Sequence, residues 1–284
     1  LLDSSLGVFP ARLLEELQKK QVNFIFWVPT IMVNIANMDL LAKLPLPDLK
    51  TVWFAGEVFP TKQFNYWKKM LPQAVFANLY GPIEITLDCI YYIVDKKYND
   101  EEPLPIGIPC NNTDILILND EDQLCRSGEE GEICVRGTSL AMGYYNNPEK
   151  TKAAFVQNPL NHAYPERIYR TGDIASVEED GLIHFKGRKD SLIKHQGYRI
   201  ELGEIEHEIV NNLKLVPNCC VVYDKENKKI VLFYEGKGTT EKEIRKALAG
   251  SFPRYMIPTV YHEMEELPRN TNGKIDRLKL STMI

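Results

Sequence analysis

The sequence predicts an α/β fold with mixed α+β character: a partial layer of parallel sheet, a small antiparallel β-barrel, and a separate small α+β domain at the C-terminus. Three observations predict it. Helix-period and strand-like segments alternate through residue 79, which implies a parallel sheet covered by helices. Short strand candidates then follow one another, with Asp180-Gly181 as a hairpin turn between two of them. Beyond Gly187 the pattern changes again, to a helix, two strands and a second helix. The domains drawn this way are residues 1–95, 96–188 and 189–284.

In PARLLEELQKK, residues 10–20, Leu13, Leu14 and Leu17 share one helical face, and the apolar run 22–28 reads as a strand. A second step joins a helix at 30–38 to a strand at Thr51–Ala55, and a third joins a helix at Thr61–Met70 to a strand at 75–79. Ligands of open parallel sheets bind beyond the carboxyl ends of the strands. Ala55-Gly56-Glu57 and Tyr80-Gly81-Pro82 lie at two such ends. After a strand at 87–94, the charged, proline-containing interval 95–105 breaks the alternation. Strands at Thr113–Leu118, 131–136, 174–178 and 182–186 supply the barrel. In the last domain Leu202, Ile205, Ile209, Val210 and Leu213 recur at helical spacing, with Glu201, Glu204 and Glu206 in the first turns, where the helix dipole favours negative charge. Strands at 219–223 and 229–234 precede a helix at 241–249, for which Thr240 and Glu243 form a capping box and Gly250 a stop.

With 44% hydrophobic and 26% charged residues in 284, the composition is that of a globular chain long enough for more than one domain. Net charge is -5 with both signs interspersed and no basic stripe, so neither nucleic acid nor an acidic membrane is an expected partner. Six cysteines lack C-x-x-C spacing, and Cys219 and Cys220 are adjacent in the apolar run CCVVY. They read as reduced, buried thiols and point to a cytoplasmic location. The histidines lack metal-ligand spacing, and no apolar run approaches the roughly 18 residues of a membrane span. The chain opens in mid-pattern without Met or a signal peptide, the expectation for a fragment.

The stretch 187–206, GRKDSLIKHQGYRIELGEIE, joins the strand-rich body to the last domain. Gly187 and Gly197 free the backbone at two points, and Arg188, Lys189, Asp190 and Lys194 crowd charge between them. By spacing alone this is either a charged interdomain linker or a catalytic hinge. It resembles the hinge motif of the adenylate-forming enzymes, specifically the amino-acid adenylation domains of nonribosomal peptide synthetases and their stand-alone D-alanine-ligase relatives. Four further segments match the same family in order: AGE with NLYGPIE (55–57, 78–84), GEICVRGTSLAMGYY (131–145), YRTGD (169–173) and NGKIDR (272–277).

The resemblance implies ATP-dependent activation of an amino acid as aminoacyl-AMP, with Mg²⁺, followed by transfer to the phosphopantetheine thiol of a carrier protein. It assigns Tyr80 to the adenine with Asn78 and Gly81 beside it, Phe185 to the same nucleotide site, and Glu84 to Mg²⁺. Asp173 and Arg188 resemble the pair that hydrogen-bonds the ribose hydroxyls. Lys274 resembles the lysine that contacts the acyl-adenylate and α-phosphate, a task suited to a point charge on a flexible stem. Asp190 matches the residue about which a mobile C-terminal lid rotates between the adenylating and thioester-forming arrangements, and Lys194 and Gly197 the loop that then faces the pantetheine tunnel. The substrate pocket would be lined by Phe26, Trp53, Ala55, Leu79, Leu87 and Asp88. Asp88 there accepts a hydrogen bond from a short hydroxyl or ammonium side chain, as in serine-activating domains, or turns away and leaves a small pocket for alanine or glycine.

The chain also departs from the family pattern. Ile83 stands where the family has a phosphate-binding threonine and cannot donate a hydrogen bond, leaving Thr86 or a backbone group to substitute. The family's phosphate loop with its lysine, and the aspartate that grips the substrate amine, belong to an N-terminal half that this sequence lacks. GTSLAMG (137–143) has neither the lysine nor the spacing to replace them. An acyl- or aryl-CoA ligase of the same superfamily, or a non-catalytic nucleotide-binding remnant, is the alternative.

Overall fold

A proline in the first turn, where its missing N–H is no loss, opens both α1 (Pro10–Lys19) and α2 (Pro29–Asn37). The computed structural model describes residues 9–189, 191–236, 238–270 and 274–284, and divides between Lys186 and Gly187 into two compact units. In the first, β1 (Phe24–Trp27), β2 (Thr51–Ala55) and β3 (Val75–Tyr80) form a parallel ladder in which Phe26 stands beside Trp53 and Trp53 beside Ala77. The crossovers carry α2, the single turn α3 (Leu40–Lys43) and α4 (Thr61–Met70).

All four helices lie against one face. Leu14, Leu17, Met32, Ile35, Phe64 and Trp67 pack with Ile25, Val52, Phe54 and Phe76 in one core. Trp67 Nε1 donates to the Met32 carbonyl at 2.8 Å, tying α4 to α2. On the opposite face Phe24, Phe26, Trp53, Val75 and Ile93 are exposed, and no helix among the described residues covers them. A parallel sheet normally has both faces covered.

The sheet is also not parallel throughout. β4 (Ile90–Ile93) runs antiparallel to β3, and β5 (Ile108–Pro109) antiparallel to β4. The reason is the connection: Ile83–Ile85 form only a 3-10 turn, and a return to a parallel strand needs a crossover of about a dozen residues or more. The strand expected over 87–94 is shortened at its start, because Thr86 and Leu87 take φ of +68° and +109°.

The antiparallel sheet follows, in the order β10-β9-β7-β6, with β8 on β9. Its strands are β6 (Thr113–Leu118), β7 (Gly131–Gly137), β8 (Phe155–Gln157), β9 (Arg167–Val177) and β10 (Ile183–Arg188). Between β7 and β8, α5 (Pro148–Ala154) is capped by Asn147, whose side chain accepts from the Lys150 amide. A bridge from Gly107 to Ile183 adds to the β10 side. β9 starts well before the expected strand at 174–178, so Asp173 sits in the middle of a strand and not at its start.

The second unit contains a hairpin that sequence reading took for a loop, β11 (Leu192–His195) with β12 (Tyr198–Glu201). Its turn places Gln196 at φ +52° and Gly197 at φ +87°, the positive pair that a type I′ turn requires. Glu201 then caps α6 (Leu202–His207), its carboxylate accepting from the Glu204 amide at 2.8 Å. The helix expected to run to Leu213 changes to a π-helical turn at Glu208–Asn212, where the Leu213 amide donates to the Glu208 carbonyl. β13 (Asn218–Asp224) and β14 (Lys229–Glu235) pair antiparallel, and β15 (Val260–Met264) lies parallel to β14. α7 (Glu241–Ser251) begins with the Thr240–Glu243 capping box. It runs through Gly250, expected as the stop, and ends at Phe252, which Pro253 holds extended. The short α8 (Arg277–Ser281) closes the unit. All six cysteines are free thiols, with Cys110 and Cys125 only half-buried, and no helix among the described residues is long and apolar enough to cross a membrane.

Candidate functional site

Tyr80 ends β3 and Asp173 lies mid-β9, and the packing of the two sheets brings them together. The Tyr80 hydroxyl donates to Asp173 Oδ2 at 2.5 Å. Burial first, and then the carboxylate itself, push the Tyr80 phenol far above its ordinary range, so it is a fixed neutral donor. Asp173 is 8% exposed, and its amide donates to Thr171 Oγ1 at 3.0 Å while Thr171 donates to the Ile133 carbonyl at 2.8 Å. Phe185 of β10 stands beside Tyr80, ring centroids 6.3 Å apart and planes tilted by 40°. Gly81 is required by close approach: a Cβ there would lie 2.1 Å from the Leu87 carbonyl oxygen and 2.6 Å from Asp88 Cα. Asn78 faces the backbone instead, its Nδ2 donating to the Pro105 carbonyl at 2.9 Å.

Glu84 sits in the 3-10 turn, and Tyr144 donates to its Oε1 at 2.6 Å. Tyr169 approaches the same hydroxyl at 3.5 Å. Sequence reasoning missed both tyrosines although they stand inside the GEICVRGTSLAMGYY and YRTGD segments; the signal was there, but nothing local says that they converge on Glu84. Among the described residues no group of three or more His, Cys, Asp and Glu could hold a metal by itself. Glu84 offers one carboxylate of the kind that would hold Mg²⁺ together with substrate phosphate, since that ion is usually bound by one or two carboxylates and not by an all-protein cage. The donor set fits. Ile83 is 86% exposed, and Thr86, its candidate substitute, donates its hydroxyl proton to the Ser139 carbonyl at 2.8 Å.

Of the candidate substrate wall, Phe26, Trp53, Ala55 and Leu79 project from the uncovered face of the first sheet, Phe26 and Trp53 meeting edge to face at 6.2 Å. Leu87 is exposed and holds φ +109°, a region costly for a branched side chain and one that clusters at ligand sites. Beside it Asp88 is half-buried, and burial pushes its carboxyl up to about 6.

In the second unit the Arg188 carbonyl accepts from the Ser191 amide and hydroxyl, both at 3.1 Å. Lys194 is in register with Arg199 across the hairpin. Gly197, at its tip, borders a cavity of about 660 Å³ lined by His195, Gln196, Tyr223, Lys225 and Lys228. Lys274 is exposed; its amide donates to Asn270 Oδ1 at 3.2 Å and its carbonyl accepts from the Asn270 amide at 2.8 Å. Asp190 lies outside the described residues, as do Asn272 and Gly273. Arg277, the last residue of NGKIDR, is engaged with Glu206 at 2.7 and 2.9 Å.

Residues 3–145 match the family model of AMP-binding enzymes. Surfactin synthase subunit 1 of Bacillus subtilis (strain 168) is 35% identical over 259 residues, 89% of this chain and 7% of that protein. Among solved structures, Klebsiella oxytoca NpsA in complex with 3-hydroxyanthranilyl-AMSN shares the fold, with a TM-score of 0.74 and 24% identity over 100% of this chain and 56% of that one. Holo-PA1221, an NRPS protein containing adenylation and PCP domains, matches at a TM-score of 0.60 and 25% identity, over 95% of this chain and 46% of that one. The chain thus spans about half the length of these solved structures and a small part of the synthase. The family match over the first half, the shared fold and the collinear motifs agree: the chain belongs to the AMP-binding enzymes, in the adenylate-forming superfamily.

Proposed function

We propose that a protein carrying this chain activates an amino acid with ATP and then transfers it to the phosphopantetheine thiol of a carrier protein. The observation that carries the reading is the Tyr80–Asp173–Phe185 cluster at the carboxyl end of the parallel strands, where such sheets bind ligands. A carboxylate oxygen of the amino acid attacks the α-phosphorus of ATP, the bond to pyrophosphate breaks, and aminoacyl-AMP remains. Asp173, oriented by Tyr80, accepts from the ribose hydroxyls with Arg188 as its partner, the Tyr80 and Phe185 rings flank the adenine, and Glu84 would hold Mg²⁺, which when bound would shield the phosphate charge. Lys274 stabilises charge on the α-phosphate. Asp190 is the pivot, after which the Lys194–Gly197 turn faces the pantetheine arm. PA1221, with its PCP domain, supports a carrier protein as partner.

The exposed Phe24, Phe26, Trp53 and Val75 face supports a further element of the reading: the segment equivalent to the other half of the relatives covers this sheet, completes the pocket and supplies the phosphate loop. Within that pocket Asp88 favours a serine-like side chain, since a site built to bond a hydroxyl rejects the analogue lacking it by up to about 10⁴. The apolar character of Phe26 and Trp53 favours the second reading, an acyl- or aryl-CoA ligase.

Pyrophosphate exchange by the chain joined to that other half, against a panel of amino, acyl and aryl acids, tests the proposal. Exchange with serine above alanine, equalised by Asp88→Ala, is the expected result. Exchange driven only by acyl or aryl acids would overturn amino-acid activation.

A further inference from the structure

Cys89 and Cys110 are not used by the proposed chemistry, and they flank the end of the β4–β5 ladder, joined by a backbone hydrogen bond. Ile90 is paired with Pro109 and Tyr91 with Ile108, and Cys89 and Cys110 are the residues immediately outside that ladder. The Cys110 amide donates to the Cys89 carbonyl at 2.8 Å, while the Cys89 amide donates to the Tyr80 carbonyl, so a single backbone hydrogen bond joins the two residues where the ladder ends. That bond holds the two backbones side by side and the two thiols interact electrostatically, which places the pair near the roughly 4.4–6.8 Å Cα separation that a disulfide bridges. Cys89 is fully buried among Ile85, Ile90 and Ile106, whereas Cys110 is half-buried and within reach of solvent.

We propose that Cys89 and Cys110 are a reversible dithiol–disulfide pair, oxidised by a small-molecule disulfide through Cys110. The Cys110 sulfur loses its proton and attacks the reagent, forming a mixed disulfide and releasing one small thiol. The Cys89 sulfur then loses its proton and attacks Cys110, forming the internal bond and releasing the second thiol. The pair is oxidised by two electrons and the reagent disulfide is reduced to two thiols. Burial pushes both thiols up, Cys89 to about 12, and the Asp88 charge adds to this. Reactivity therefore comes from the juxtaposition of the second thiol, not from an acidic first one. Because Asp88 directly precedes Cys89, and the Cys89 amide donates to the Tyr80 carbonyl at 2.8 Å, the bridge would fix the backbone on which both candidate site residues sit. The pairing itself does not depend on the substrate reading.

The full chain with Cys125→Ser, which leaves Cys110 as the single thiol on its tryptic peptide, is incubated with oxidised glutathione, alkylated and digested. The expected product links the Cys89 peptide to the Cys110 peptide and is undone by dithiothreitol. It is absent in Cys110→Ser, whose half-buried site tolerates the change, and in Cys89→Ala. A stable glutathione adduct on Cys110 with Cys89 still alkylated after unfolding, or two unmodified thiols after prolonged exposure, would overturn the pairing.

Discussion

Tyr80 and Asp173, 93 positions apart in sequence, share a hydrogen bond of 2.5 Å in which the phenol is the donor. Tyr80→Phe removes a donor from a carboxylate that is 8% exposed. The loss of such a bond destabilises by about 1–3 kcal/mol, measurable by urea unfolding. Because the folded phenol is raised, its contribution is full below the ordinary value of about 10 and is lost as pH rises above it. The alkaline fall in stability should therefore be shallower in Tyr80→Phe than in the native chain. Equal slopes would show that Tyr80 does not titrate differently on folding.

Asp88 gives a pH signature in the accessible range. Its carboxyl is raised from 3.8 to about 6 in the folded chain, so the folded state binds the proton more tightly. That contribution is present below 3.8 and lost as pH rises through about 6. Asp88→Asn should be more stable than the native chain at neutral pH, with the difference shrinking toward zero in acid. A less stable variant at neutral pH would mean that the ionised carboxylate has a favourable partner.

Lys274→Ala tests the proposed catalytic role in the chain joined to its other half. Adenylate formation should slow by about 10²- to 10³-fold, the scale for removing one charge-stabilising group. Transfer from a preformed adenylate to the carrier thiol should be nearly unchanged, because in the proposed role the lysine serves only the first step. Equal losses in both half-reactions would remove the two-arrangement assignment.

Arg277 anchors the second unit. Its guanidinium meets both oxygens of Glu206 at 2.7 and 2.9 Å, and it also donates to the Val221 carbonyl. Arg277→Ala should lower stability by about 1.5–3 kcal/mol, the range for hydrogen bonds to charged groups. Arg277→Lys should recover only part of it, since an ammonium cannot present a planar fork. Chemical unfolding of the three proteins reads the order directly, and full recovery by lysine would show that charge alone matters.

Much of the local structure was legible in sequence. Leu13, Leu14 and Leu17 mark the buried face of α1, Thr240 and Glu243 cap α7, and the strand at Thr51–Ala55 has its expected ends, because each depends on residues a few positions apart. The hairpin at Gln196-Gly197 was missed because a lone Gln-Gly is a weaker turn signal than Asn-Gly, and charged flanks hid the alternation. The direction of β4 was missed because the apolar run 87–94 looks the same in either sense, and only the short link after Tyr80 decides it.

The sequence by itself determined the family, the motif residues and the local elements that carry them. Only the tertiary structure decided that Tyr80 donates to Asp173, that Tyr144 claims Glu84, that the Cys110 amide bonds the Cys89 carbonyl, and that Phe26 and Trp53 stand exposed among the described residues. The physical reason is range: propensity and capping act within one or two turns of chain. Pairings between distant residues are chosen by how whole sheets pack, through burial summed over many side chains that no single motif contains.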